Sequence, residues 1–223
     1  MRAPTPSRYP FVAAWGLASA IGLAIAGMLA GTLAPSGGDL PVVFAPSLAE
    51  GIRHYGPPTA AAMGVWGAGL GAAQWVVVRG RLRGAGWWAP ATLAGWGLAG
   101  AIIGSLTGAL NGRLSVGAHD AGPVGVAITV SLSVLALGLI PATFQWLVLR
   151  HSSQLWGSYS LRHMIGLVAG GMALWVVASA LGLNLPSGPA WAVGGAAMGA
   201  IIGLATARPV VRAVGLGAEG RVR

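Results

Sequence analysis

The chain has 223 residues, 55% of them apolar and only 8% charged, with 13 arginines, no lysine, four acids and a formal net charge of +9. Its apolar runs reach the roughly 20 residues that a helix needs to cross about 30 Å of hydrocarbon, which excludes ordinary soluble packing. A β-barrel would need alternating polar and apolar residues, which are missing, and the lack of cysteine removes disulfides, thiolate nucleophiles and sulfur metal sites.

Only a helix satisfies its own backbone in lipid without closing on itself, so the predicted fold class is all-α, an integral membrane bundle of six transmembrane helices. The spans fall at about 10–34, 58–78, 87–110, 123–149, 163–183 and 189–207 of a single domain. The first 34 residues begin with Arg2 and Arg8, as a secretory signal would. Their apolar stretch outruns the roughly 7–15 residues of a signal core, however, and no cleavage site precedes a soluble domain, so they are read as a span. Residues 35–57 form an outer loop in which Ser47 and Glu50 have capping-box spacing, predicting a short surface helix. Residues 208–223 form a basic tail.

Arginine sets the direction. With the amino terminus inside the cell, Arg2, Arg8, Arg79, Arg81, Arg83, Arg150, Arg162, Arg208, Arg212, Arg221 and Arg223 lie inside and only Arg53 and Arg113 outside. Basic residues in short loops determine orientation, so both termini are expected in the cytoplasm and the protein in the inner membrane. The arginines flank apolar spans, so anionic headgroups at the cytoplasmic face are their expected partner, and nucleic acid is not. Arginine without lysine, beside 38 glycines, reads as the imprint of a GC-rich bacterial genome.

Span two ends on Gln74-Trp75-Val76-Val77-Val78-Arg79, and span four ends on Gln145-Trp146-Leu147-Val148-Leu149-Arg150, 71 positions later. Trp15-Gly16-Leu17-Ala18 in span one similarly echoes Trp96-Gly97-Leu98-Ala99 in span three. Three tandem helical hairpins in parallel orientation are the natural reading. The third is the most diverged, with Ser158 and Tyr159 where the offset would place the pair Trp87-Trp88. Trp and Arg four residues apart share a helix face, so Trp75 with Arg79 and Trp146 with Arg150 are read as interfacial anchors, with a cation–π contact within reach. Gln74 and Gln145 either snorkel toward the headgroups or donate to a neighbouring helix. These segments, with the basic turn from Arg79 to Arg83 and Gly86-Trp87-Trp88, resemble an uncharacterised bacterial family of small multi-pass membrane proteins built on repeated Gln-Trp-(aliphatic)3-Arg units. The resemblance implies architecture and brings no activity.

Glycines recur every four residues: Gly100, Gly104 and Gly108 in span three, and Gly195, Gly199 and Gly203 in span six. Shorter pairs occur at Gly27 and Gly31, Gly67 and Gly71, and Gly166 and Gly170. Such spacing lets two backbones approach closely where lipid gives no hydrophobic drive for association, so most of these stripes are expected to pack within the bundle.

Chemistry is sparse. The span centres carry no ionisable side chain, and hydroxyls such as Ser105, Thr107 and Thr129 are expected to bond their own helix backbones. His163, at the start of span five, is a weak candidate for ligating a metal or tetrapyrrole; the plainer reading is a histidine solvated at the interface, and no cofactor or metal is expected. Asp39, Glu50, Arg53 and His54 gather polar groups in the outer loop, either as a binding site or as a loop-stabilising salt bridge. The expected function is that of a non-enzymatic accessory or scaffolding subunit of a membrane assembly, with membrane-protein partners or its own copies. The alternative is a transporter or pore for a small neutral or apolar solute, with its site at the repeat interface.

Overall fold

In a computed structural model, residues 8–33, 48–114, 122–150, 156–180 and 188–215 are described. They form α1 (Tyr9–Leu33), α2 (Leu48–Val78), a 3-10 turn (Ala85–Trp87), α3 (Trp88–Leu114), α4 (Gly122–Leu149), α5 (Trp156–Ala180) and α6 (Gly188–Ala213). Each helix packs against its chain neighbours and α6 packs against α1, so the six close into a ring.

Small residues decide how closely these helices approach. Gly195 and Gly199 of α6 face the backbone carbonyls of Leu23 and Ser19 on α1, and a Cβ at Gly203 would lie 2.9 Å from the Cα of Gly16. On α3, Gly104 faces the Tyr55 carbonyl of α2, and a Cβ at Gly100 would lie 2.6 Å from the Thr59 carbonyl oxygen. Gly67 and Gly71 of α2 meet α3, Gly27 of α1 meets Trp191 of α6, and Gly166 and Gly170 of α5 meet Ile202 and Met198 of α6. Gly108 is buried, and the surroundings of Gly31 lie outside the described residues.

Large apolar side chains cover the outside of the bundle, and several polar side chains turn inward among its buried apolar ones. Leu17, Ile21, Ile25 and Met28 of α1 and Leu161, Ile165, Val168, Met172 and Val176 of α5 are exposed, whereas Ser19, Gln74, Thr92, Gln145, Ser160, His163 and Thr206 are buried. Water as the surrounding solvent would favour the reverse. Among the described residues, five helices, α1 to α4 and α6, are long and apolar enough to cross a membrane. They fit a multi-pass membrane protein.

Four element boundaries differ from the sequence expectation. First, α2 begins at Leu48, so the predicted surface helix is its opening turns, and the chain passes through Pro57 and Pro58 without a break. The two prolines remove the donors that would reach the carbonyls of Arg53 and His54. Packing against α3, with Gly104 on Tyr55 and Gly56 on Ser105, holds these turns in place. Ser47, Asp39 and the rest of 34–47 lie outside the described residues. Second, α3 continues beyond 110 to Leu114.

Third, α5 starts at Trp156 instead of 163, because Tyr159 is itself a buried helical residue. Residues 181–187 lie outside the description. Fourth, α6 runs to Ala213, so Arg208 and Arg212 ride on a helix and not in a tail. Burial of Val210 and Val211 against Phe11 and Trp15 accounts for the extension, even though Pro209 removes one helical donor.

Two apolar clusters stack along the ring. One, containing Phe11, Trp15, Val78, Leu82, Trp88, Leu149, Tyr159 and Val210, lies at the end where Arg79, Arg81, Arg83 and Arg150 follow or link helices. The other contains Leu23, Trp66, Leu70, Trp96, Leu167 and Ile202. At the basic end the α2–α3 turn is tight: Leu82 N–H donates to the Val78 carbonyl and Trp87 N–H to the Gly84 carbonyl. Gly84 has φ 83°, a left-handed conformation suited to glycine. This turn splits the adjacent tryptophans, leaving Trp87 72% exposed and Trp88 fully buried.

Candidate functional site: a buried ring of polar side chains

At the level of the basic-end cluster, three aromatic donors reach from odd-numbered helices to the helix before each in the ring. Trp88 of α3 donates Nε1–H to Gln74 Oε1 of α2 at 3.1 Å. Tyr159 of α5 donates its hydroxyl to Gln145 Oε1 of α4 at 2.6 Å. Trp15 of α1 donates Nε1–H to Thr206 Oγ1 of α6 at 3.1 Å, closing the ring across 191 residues of sequence.

The glutamine amides then carry the bonding across to the other neighbouring helix. Gln74 Nε2 donates to Ser19 Oγ on α1 at 2.9 Å. Gln145 Nε2 donates to Thr92 Oγ1 on α3 at 3.0 Å and, more weakly, to Gln74 Oε1 at 3.3 Å. Ser19 lies four residues after Trp15 and donates to the Trp15 carbonyl, and Thr92 bears the same relation to Trp88. Of the two alternatives for the glutamines, the structure takes bonding to neighbouring helices; both side chains are 1% exposed.

The third position is built differently. Thr206 accepts from Trp15, but its hydroxyl proton goes to the Ile202 carbonyl of its own helix, at 2.8 Å. His163, four residues after Tyr159, stands where Ser19 and Thr92 stand in the other two, and neither ring nitrogen has a partner. The buried Ser160 hydroxyl is likewise unpartnered. The expectation of a solvated interfacial histidine is therefore corrected: His163 is 1% exposed, two turns into α5, with the Tyr159 ring 6.3 Å away. Arg162 beside it suggests the membrane surface, but consecutive helical side chains point about 100° apart, and His163 faces inward. Among the described residues no group of three His, Cys, Asp or Glu could hold a metal ion.

The remaining predicted residues are dispersed. The Arg79 guanidinium lies over the Trp75 ring at 5.5 Å, a cation–π contact. Trp146 is half-buried with an unpartnered indole N–H, and Arg150 is exposed. In the opening turns of α2, Glu50 is half-buried, while Arg53 and His54 are exposed. Ser105 bonds its own helix at the Ala101 carbonyl, as expected of the hydroxyls.

Trp15, Ser19, Trp88, Thr92, Tyr159 and Thr206 are absent from the sequence-predicted site. Their available signal is the aromatic-x-x-x-polar spacing of Trp15 to Ser19, Trp88 to Thr92 and Tyr159 to His163. No protein-family model, curated protein or solved structure matches the chain.

Proposed function

We propose that the protein is a non-enzymatic scaffolding or accessory subunit of a membrane assembly, whose interior is closed by hydrogen bonds and whose outer faces do the work. The carrying observation is the polar ring, in which Gln74 joins Ser19, Trp88 and Gln145, and Gln145 joins Thr92 and Tyr159. Polar contacts of this kind hold helices together in lipid, where hydrophobic drive is lacking. The competing reading, a carrier for a small neutral or apolar solute, would use the glutamines as its lining, but both ends of each amide are already engaged within the protein.

The three aromatic donors favour three parallel hairpins as the unit of construction, with Trp15, Trp88 and Tyr159 equivalent and Gln74, Gln145 and Thr206 equivalent. Six spans follow if α5 crosses as well. Its outward face of Leu161, Ile165, Val168, Met172 and Val176 suits lipid, while its polar residues Tyr159, Ser160 and His163 turn inward. Its 25 residues make a helix of about 37 Å, longer than the hydrocarbon core. The arginine bias supports both termini lying in the cytoplasm of an inner-membrane protein.

Extraction from native membrane in mild detergent is expected to recover a stoichiometric membrane-protein partner, and proteoliposomes of the pure chain are expected to show no saturable solute uptake. Saturable uptake would overturn the scaffold reading. Labelling single cysteines near Arg8 and Arg212 from opposite sides of the membrane would overturn the topology.

A further inference from the structure

A groove of about 1140 Å³ opens between α3 and α4 at the basic end, lined by Trp87, Pro90, Phe144 and Leu147, with Arg83 and Arg150 among its walls. The helices meet further along, where a Cβ at Gly95 would lie 2.7 Å from the Pro141 Cα, so the groove lies between that contact and the helix ends. Among the described residues no acidic side chain lines it.

The nearby arginines are not equivalent. Arg79 is committed to the Trp75 ring, and Arg81 donates to the Val77 carbonyl and lies 5.8 Å from the Phe11 centroid. Arg83 and Arg150 have no partner among the described residues, and they are the two that border the groove. Two guanidiniums unpartnered among the described residues, beside an apolar trough with an exposed indole at its edge, complement an anionic amphiphile: phosphate forms charge-assisted, bidentate bonds with guanidinium, and an acyl chain fits the apolar walls.

We propose that this groove binds one anionic phospholipid, with its phosphate held between Arg83 and Arg150 and an acyl chain lying along Trp87, Phe144 and Leu147. This rests on the membrane reading above and gives the outer surface one specific occupant. A neutral phospholipid presents a phosphate paired with its own cation, so the two arginines select for a net negative headgroup.

The test is native mass spectrometry of the full chain in detergent, titrated with phosphatidylglycerol or phosphatidylcholine. One phosphatidylglycerol is expected to bind with at least tenfold preference. Arg83→Gln with Arg150→Gln should abolish the preference, while Arg208→Gln with Arg212→Gln should leave it intact. Ala91→Trp, which fills the groove without touching its charge, should also weaken binding, and excess inorganic phosphate should not displace the lipid. Equal binding of the two lipids, or equal loss in the α6 control, would overturn the site while leaving the membrane reading standing. A chain that fractionates as a soluble protein without detergent would overturn the membrane reading itself.

Discussion

The positions built on Gln74 and Gln145 differ from the one built on Thr206 above all in the reach of the acceptor side chain. A glutamine accepts from the aromatic donor at one end of its amide and donates to a hydroxyl on the next helix from the other. Threonine accepts, but its one proton returns to its own helix at Ile202, so nothing reaches His163. Two positions are thus cross-helix knots, and the third is a single link beside an unsatisfied imidazole and the unsatisfied Ser160 hydroxyl. A buried polar group left unbonded costs about 1–3 kcal/mol. Cohesion in this bundle therefore concentrates between α1 and α4, and the joints around α5 are the weaker ones.

The comparison breaks most severely at Gly199. Its Cβ would strike the Ser19 carbonyl, so Gly199→Leu must force α6 from α1 and pull Ser19 away from Gln74. Loss of the monodisperse detergent peak is expected, and an intact peak would mean the α1–α6 contact is not tight. Gln74→Ala comes next, since it strands the Trp88 indole and removes the amide that donates to the Ser19 hydroxyl. Destabilisation of about 2–3 kcal/mol, from the cost of buried unmade bonds, is expected in detergent unfolding, and a loss below about 0.5 kcal/mol would contradict the knot.

Tyr159→Phe removes one donor from the Gln145 position and should cost about 1 kcal/mol. His163→Leu, which discards no hydrogen bond, should be nearly neutral or stabilising; a cost exceeding that of Tyr159→Phe would show that the imidazole is bonded after all. The opposite sign is expected from Thr206→Gln, which supplies an amide able to accept from Trp15 and donate to His163. A gain of about 0.5–1.5 kcal/mol is anticipated, and the gain should vanish in a His163→Leu background.

Long apolar runs and their arginine punctuation make the helices legible in the sequence, because length and charge report directly on the surrounding solvent. Gln74 and Gln145 are legible as a pair, because the residues flanking them recur along with them. Trp15 is misleading: its string Trp15-Gly16-Leu17-Ala18 matches the segment at Trp96, yet Trp96 lies in the other apolar cluster with its indole N–H unpartnered. Geometry instead pairs Trp15 with Trp88, whose ring lies 5.5 Å away, edge to face. Thr206 is illegible because it replaces glutamine with a different residue type, and because its partner Trp15 lies at the other end of the chain. The burial of His163 is hidden by Arg162, since charge patterning along a sequence does not resolve which face of a helix points inward.

Closure of the ring is the claim on which the polar arrangement depends, and the cysteine-free chain allows it to be tested by disulfide trapping in native membranes. A Cβ at Gly16 would lie 3.5 Å from Leu204 Cγ across the α1–α6 seam, and one at Gly166 would lie 3.2 Å from the Ala205 Cβ across α5–α6. Gly16→Cys with Leu204→Cys is expected to crosslink under mild oxidation as readily as Gly166→Cys with Ala205→Cys. If the α5–α6 pair forms its disulfide while the α1–α6 pair stays reduced, the ring is open and Trp15 does not reach Thr206.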